Sequence, residues 1–516
     1  MAWSASRDHD LVVDAFSVPP DMAARGQTGL VVASQLLDQF GRLQAQTQPT
    51  AQTEDVYRLN VGENVRIEIP QTGISLGELD RYLRGWLGHE VHVGGEITHS
   101  PDGLVLTIRY AGRESVQVNG NEADFNGLMN KGAEGLYSIA QPLRFSDYLV
   151  TQGRLAQSLI ILKRLAVTGS PMERAGALTS WAEGVDFDGR GREALSIIDE
   201  ALRLAPNASF AWAVDSDAHV ELGHDEAAHA AEARMVATVP QTWSRAQLAG
   251  SQLAYLPYFI AQRRDGHVGN FAAAARDWNQ LSATSGTGLA NTDAGLQLME
   301  FAPQRAAAHD LAGARRAVVE NAGIPADPAA RVAYANAAIA YYGGDWRAVV
   351  DNGALLEADA NPFIHAMQDV QIRPLRAVAM AHLGDVAGAE ALIAPTPLDC
   401  DLCVRARGQI AALKGDWRAA DAWFATVAAR SPSIPFAYAD WGEALLARGD
   451  LDGAIDKFRR ANAISPHFAD PLKGWGDALA RQGRWSEAAA KYNEGLTNAP
   501  AWQALRDARD AAARRR

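Results

Sequence analysis

The sequence predicts an α/β segment followed by an all-α solenoid of helical hairpins, and two patterns predict it. From "ARGQIAALKGDWRAADAWF" (406–424) onward, small residues and aromatics return every 34 positions. Before residue 142, apolar and polar residues instead alternate in short runs, the period of half-buried strands. A chain of 516 residues is too long for one core, so several units or an array are required. Its 48% hydrophobic residues are enough to bury, which excludes a disordered chain.

Residues 1–9 read as a tail and 10–142 as the α/β segment. "LVVDAF" is a strand candidate, and "VRIEIP" (65–70), "EVHVGGEI" (90–97), "LVLTIRY" (104–110) and "SVQV" (115–118) alternate with period two. Helical patterns at 26–44, 75–87 and 121–140 complete the order β-α-β-α-β-β-β-α. The Gln/Thr-rich "QAQTQPTAQT" (44–53) reads as a loop. This order, with "LVVDAFSVPP", "GLVVASQLLDQFGRL" (29–43) and "SLGELDRYLRGWLGHEVHVGGEI" (75–97), resembles the TolB amino-terminal-like domain of bacterial proteins. That domain has no catalytic fingerprint. The resemblance implies a module that often precedes helical repeats, behind a winged-helix or adenylate cyclase module and a membrane helix; none of those upstream modules stands in this sequence.

The repeats are clearest at the C-terminal end. "DWGEALLARGDLDGAIDKF" (440–458) and "GWGDALARQGRWSEAAAKY" (474–492) align Gly408, Gly442 and Gly476, then Gly415, Gly449 and Gly483, then Ala420, Ala454 and Ala488. Phe424, Phe458 and Tyr492 follow, and Pro432, Pro466 and Pro500 close each unit. Small residues permit two helices to cross closely, the second Gly makes the turn, the aromatic fills the gap toward the next hairpin, and Pro ends the second helix. This pattern resembles the tetratricopeptide repeat, which implies a right-handed superhelix of hairpins. Weaker copies run upstream in "QGRLAQSLIILKRL" (152–165), "GREALSIIDEALRLAP" (191–206), "GHDEAAHAAEARMVATVP" (223–240), "YYGGDWRAVV" (341–350) and "HLGDVAGAEALI" (382–393). Residues 143–400 therefore read as degenerate repeats, and 401–516 as three regular repeats with a C-terminal helix. Between about 241 and 330 the register is lost, and "SATSGTG" (282–288) reads as a loop.

Several function classes drop out. The net charge of −13 disfavours nucleic acid, which needs clustered Lys and Arg; the final "RRR" complements a helix dipole instead. "MAWSASRDHD" lacks the pattern of a signal peptide, and "AQLAGSQLAYLPYFIAQ" (246–262) is too short and polar for a membrane span. The expectation is a cytoplasmic protein with no membrane insertion, periplasmic or membrane-associated only with a longer N-terminus. "CDLC" (Cys400, Cys403) opens a repeat helix without the strand that a thioredoxin-like motif needs, and reads as packing thiols, with a disulfide left open. "DFDGRG" (186–191) lacks the terminal Glu of a calcium loop and reads as a turn. "SGTG" lacks the strand and Lys of a phosphate loop. No catalytic arrangement, metal site or cofactor is expected.

The remaining functional surface is the concave groove, lined by first helices. Its candidate residues are Arg405 and Gln409, Glu443, Lys473 and Asp477, with Arg481 a turn on, and Glu183 and Asp217 upstream. The family's clamp for carboxylate tails needs an Asn and a Lys where Asp440 and Asp470 stand, so tail capture is not expected. The alternating charges suit a peptide of mixed charge. Removing Arg405 and Lys473 is expected to weaken such a partner and leave stability unchanged. The leading expectation is a non-enzymatic bacterial scaffold binding a protein or peptide. The alternatives are a sensory or regulatory part of a membrane-linked signalling protein and, third, a thiol-redox protein using Cys400 and Cys403.

Overall fold

The computed structural model describes residues 11–47, 65–67, 91–110, 115–242, 256–284, 297–322, 328–357 and 362–515. The tail, the helix expected at 75–87, residues 48–53 of the expected first loop and 285–288 of "SATSGTG" lie outside them. The chain divides into two compact units: residues 1–181 with 200–208, and residues 182–199 with 209–516.

The first unit holds a mixed sheet of β1 (Leu11–Val13), β2 (Val65–Ile67), β3 (Val91–Ser100), β4 (Gly103–Tyr110) and β5 (Ser115–Gly120), ordered β2-β1-β3-β4-β5. β1 runs parallel to β2 and β3, and β3, β4 and β5 form an antiparallel meander. The alternation read in "LVLTIRY" takes effect in β4, where Leu104, Leu106, Ile108 and Tyr110 are buried and the intervening residues are not. The helices Gly29–Gln46 and Phe125–Ala140 cover that face, contributing Leu36, Phe40, Leu136 and Tyr137 to one core. The next helix, Pro142–Thr151, starts at a proline suited to its first position and adds Phe145, Tyr148 and Leu149 to the same core. Tyr137 lies 5.4 Å from Phe40 and 5.6 Å from Phe145 between ring centroids, both edge-on, and its hydroxyl donates to Thr47 Oγ1 at 3.0 Å. The transition read at residue 142 thus falls between two helices that share this core.

The second unit is all-α, a solenoid of stacked helical hairpins as the sequence pattern predicts. Its last three hairpins pair Asp401–Lys414 with Trp417–Arg430, Phe436–Arg448 with Leu451–Ile464, and Ala469–Arg481 with Trp485–Asn498; Gln503–Ala513 follows. The 34-residue pattern has a direct cause here. A Cβ on Gly408 would meet the Phe424 ring at 2.7 Å, and one on Gly442 would meet Phe458 at 2.5 Å, so each hairpin's aromatic occupies the space its own glycine leaves. Phe458 also presses on Gly474 of the next hairpin, which joins neighbours into one core. Gly415, Gly449 and Gly483 take φ of +82°, +88° and +77° at the turns, and Asp416 and Asp450 then cap the second helices through their carboxylates.

The stretch where the sequence period fades is also built of hairpins. Leu256–His267 pairs with Phe271–Thr284, and Ala302–Ala307, continuing the π-helical turn Gln297–Phe301, pairs with Leu311–Asn321.

Candidate functional site

The first helices of the last three hairpins bring the expected residues into two ion-paired groups. Arg405 Nε donates to Asp440 Oδ2 at 2.7 Å, with 14% and 17% of the two side chains exposed, and its guanidinium lies 5.0 Å from the centre of the Phe436 ring. Gln409, one turn on, engages the hydroxyl of Tyr341. Lys473 Nζ donates to Asp477 Oδ2 at 2.7 Å, and Asp477 Oδ1 accepts the Tyr492 hydroxyl at 2.7 Å. Glu443 stands between these groups and forms no ion pair among the described residues. The residue is exposed, yet desolvation of its carboxyl between the helices, with the charges of Asp477, Asp470 and Asp440, pushes it up to about 7 against the pull of Lys473.

The other three candidates are placed differently. Arg481 donates to the Leu446 carbonyl at 2.8 Å and so ties neighbouring hairpins together. Asp217 pairs with Arg263 in a second polar cluster, where Glu232 is fully buried and accepts from His267 Nδ1 at 2.8 Å. Glu183 is half-buried on the Pro171–Phe187 helix, far from the C-terminal hairpins in sequence.

Two expectations change. Truncating Arg405 is now expected to cost stability, because Asp440 would remain largely buried without its cation. Cys400 and Cys403, read as packing thiols, are joined in a disulfide. Both are fully buried, and the Cys403 N–H points at the Cys400 sulfur at 3.1 Å, so the bridge takes the place of an N-cap on the Asp401–Lys414 helix.

Sequence reasoning missed Tyr341, Arg263, Glu232 and His267. Arg263 and His267 lie inside the stretch where the period fades, and Glu232 stands just before it. A signal was present in "HDLAGA" (309–314), which matches "GDLDGA" (449–454) with His309 replacing the turn glycine.

Among the described residues no three His, Cys, Asp or Glu side chains are grouped to hold a metal ion, and no helix is long and apolar enough to cross a membrane. No family model matches the sequence, and no curated protein matches it. Solved structures do align. A tetratricopeptide repeat protein from Parabacteroides merdae is 10% identical with a TM-score of 0.32, over 50% of this chain and 99% of its own. Yeast Tom70 is 12% identical with a TM-score of 0.27, over 72% and 89%. The TPR2AB domain of yeast Sti1, solved with pHSP90, is 16% identical with a TM-score of 0.21, over 51% and 100%. Likenesses this loose carry no partner or activity across to this chain.

Proposed function

We propose that this protein is a non-enzymatic interaction scaffold that holds a segment of a partner protein against the inner wall of its C-terminal repeats. The observation that supports this reading is the state of that wall. Its cations Arg405 and Lys473 are already paired with Asp440 and Asp477, while Glu443 between them is exposed and forms no ion pair among the described residues. A peptide of mixed charge that places a Lys or Arg beside Glu443 would restore its ionised form and gain a charge-assisted hydrogen bond. We read the first unit as a TolB-like module; its mixed sheet with two long helices on one face is consistent with that reading.

Selection of a displayed random-peptide library on the purified chain tests the proposal. Selected peptides should carry a basic residue, and Glu443→Gln should weaken them by about 1–3 kcal/mol. Affinity indifferent to Glu443→Gln and to Arg405→Ala/Lys473→Ala would move the binding surface elsewhere on the molecule.

A further inference from the structure

Each hairpin turn in the described chain places one residue in the left-handed region. Nine are glycines, at positions 153, 189, 223, 269, 344, 384, 415, 449 and 483. The tenth is His309, with φ of +59° and no glycine's freedom. A non-glycine residue there costs about 1–2 kcal/mol, so something offsets it.

The His309 ring lies flat on the Trp502 indole, with centroids 3.4 Å apart and planes 6° apart, and meets Tyr342 edge-on. Its Nε2 stands 3.1 Å from Asp470 Oδ1, and only 8% of the side chain is exposed. A turn near the middle of the solenoid is therefore seated on the last repeat and the C-terminal helix, 161 to 193 residues away.

Two neighbouring turns are seated in the same way. The Gly223 carbonyl accepts from the Asp401 N–H at 2.8 Å, and a Cβ on Gly223 would strike Cys400. Arg192 and His224 flank this contact, reaching Asp399 at 2.8 and 3.5 Å. A Cβ on Gly269 would fall 2.8 Å from the Phe468 ring, and Phe271 beside it stacks with Phe436 and meets Phe468 edge-on.

The three seats are one position of the repeat. Cys400, Phe468 and Trp502 differ by multiples of 34, and each is the N-cap residue of the helix that follows. That position favours Ser, Thr, Asp or Asn, whose oxygens satisfy free N–H groups. Neither Phe468 nor Trp502 makes a side-chain cap, and both instead offer an apolar platform to an incoming turn. Capping has been given up for a contact surface.

We propose that these seats form a row of intrachain contacts that closes the superhelix on itself, with His309 on Trp502 as its latch. The upstream turns occupy the N-terminal edge of the C-terminal wall, and access along that edge requires the row to part. This closure stands independently of the peptide-binding reading.

Hydrogen exchange and small-angle scattering on the full chain test it. His309→Gly leaves the turn with the residue its nine counterparts use, so the hairpin of Ala302–Ala307 and Leu311–Asn321 should keep its protection. The distant seat should loosen: amides at 470–474 and 503–507 should exchange about tenfold faster, with an increased radius of gyration. His309→Asn, which tolerates the same backbone without the ring stack, should behave alike, and Trp502→Ala should loosen 308–311. Changes confined to 297–321, or no change at the seat with either His309 variant, would overturn the proposal.

Discussion

Asp186 and Glu221 face each other in the interior of the repeat unit, each only 8% exposed. Glu221 Oε1 accepts from the Gly191 N–H at 3.2 Å, and a hydrogen bond joins the two carboxyls. Asp186 Oδ1 and Glu221 Oε2 are buried without partners. Burial first, then the bond to Glu221 and its charge, hold the Asp186 carboxyl far above its ordinary value of 3.8, with only Arg263 opposing. The folded chain therefore keeps a proton that the unfolded chain releases above that pH. More protons bound in the folded state means stability falls as pH rises, beginning near 4 and continuing through neutrality. At about 1.4 kcal/mol per pH unit, the loss by pH 7 is bounded at about 4 kcal/mol, and relaxation around the pair reduces it to about 2. Asp186→Asn keeps a donor for Glu221 and cannot ionise. In thermal melts it should match the natural chain near pH 4 and melt about 3 °C higher at pH 8 for a unit of this size. A difference that does not grow with pH, or a variant less stable at pH 8, would refute the shared-proton account.

Arg405→Ala should lower stability by about 2–4 kcal/mol in denaturant titrations, and Arg405→Met/Asp440→Leu should recover most of it, since the second change removes the stranded charge. Non-reducing peptide mapping should find Cys400 linked to Cys403; replacing both with Ser should cost about 2 kcal/mol, small because the closed loop is short. Phe145→Ala should cost about 3–4 kcal/mol in the first unit's unfolding, because it empties a buried site against Tyr137, whereas the same change at exposed Phe187 should cost little.

What the sequence made legible was periodic. The regular hairpins could be read because Gly442 and Phe458 must be small and large at a fixed spacing for two helices to touch, and β4 because Leu104, Leu106 and Ile108 share one face. Contacts within one repeat length could also be read in principle: Lys473 and Asp477 are one helical turn apart, and Arg405 and Asp440 lie on adjacent first helices. The row of seats could not. Nothing local relates Gly223 to Cys400 or Gly269 to Phe468, because such contacts are set by how far the superhelix has rotated over several repeats. His309 hid its own turn by replacing the glycine that marks the others.

A trace of the distant contacts nonetheless survives in the local pattern, as a departure from what local structure prefers. Phe468 and Trp502 stand where a capping oxygen belongs, and His309 stands where a glycine belongs. Each is a poor choice for its own helix or turn, and each is explained by a partner at least 160 residues away. In a repeat array the neighbouring copies state what the local optimum is. A residue that abandons it at the same register in several copies therefore marks a surface answering to something outside its own hairpin.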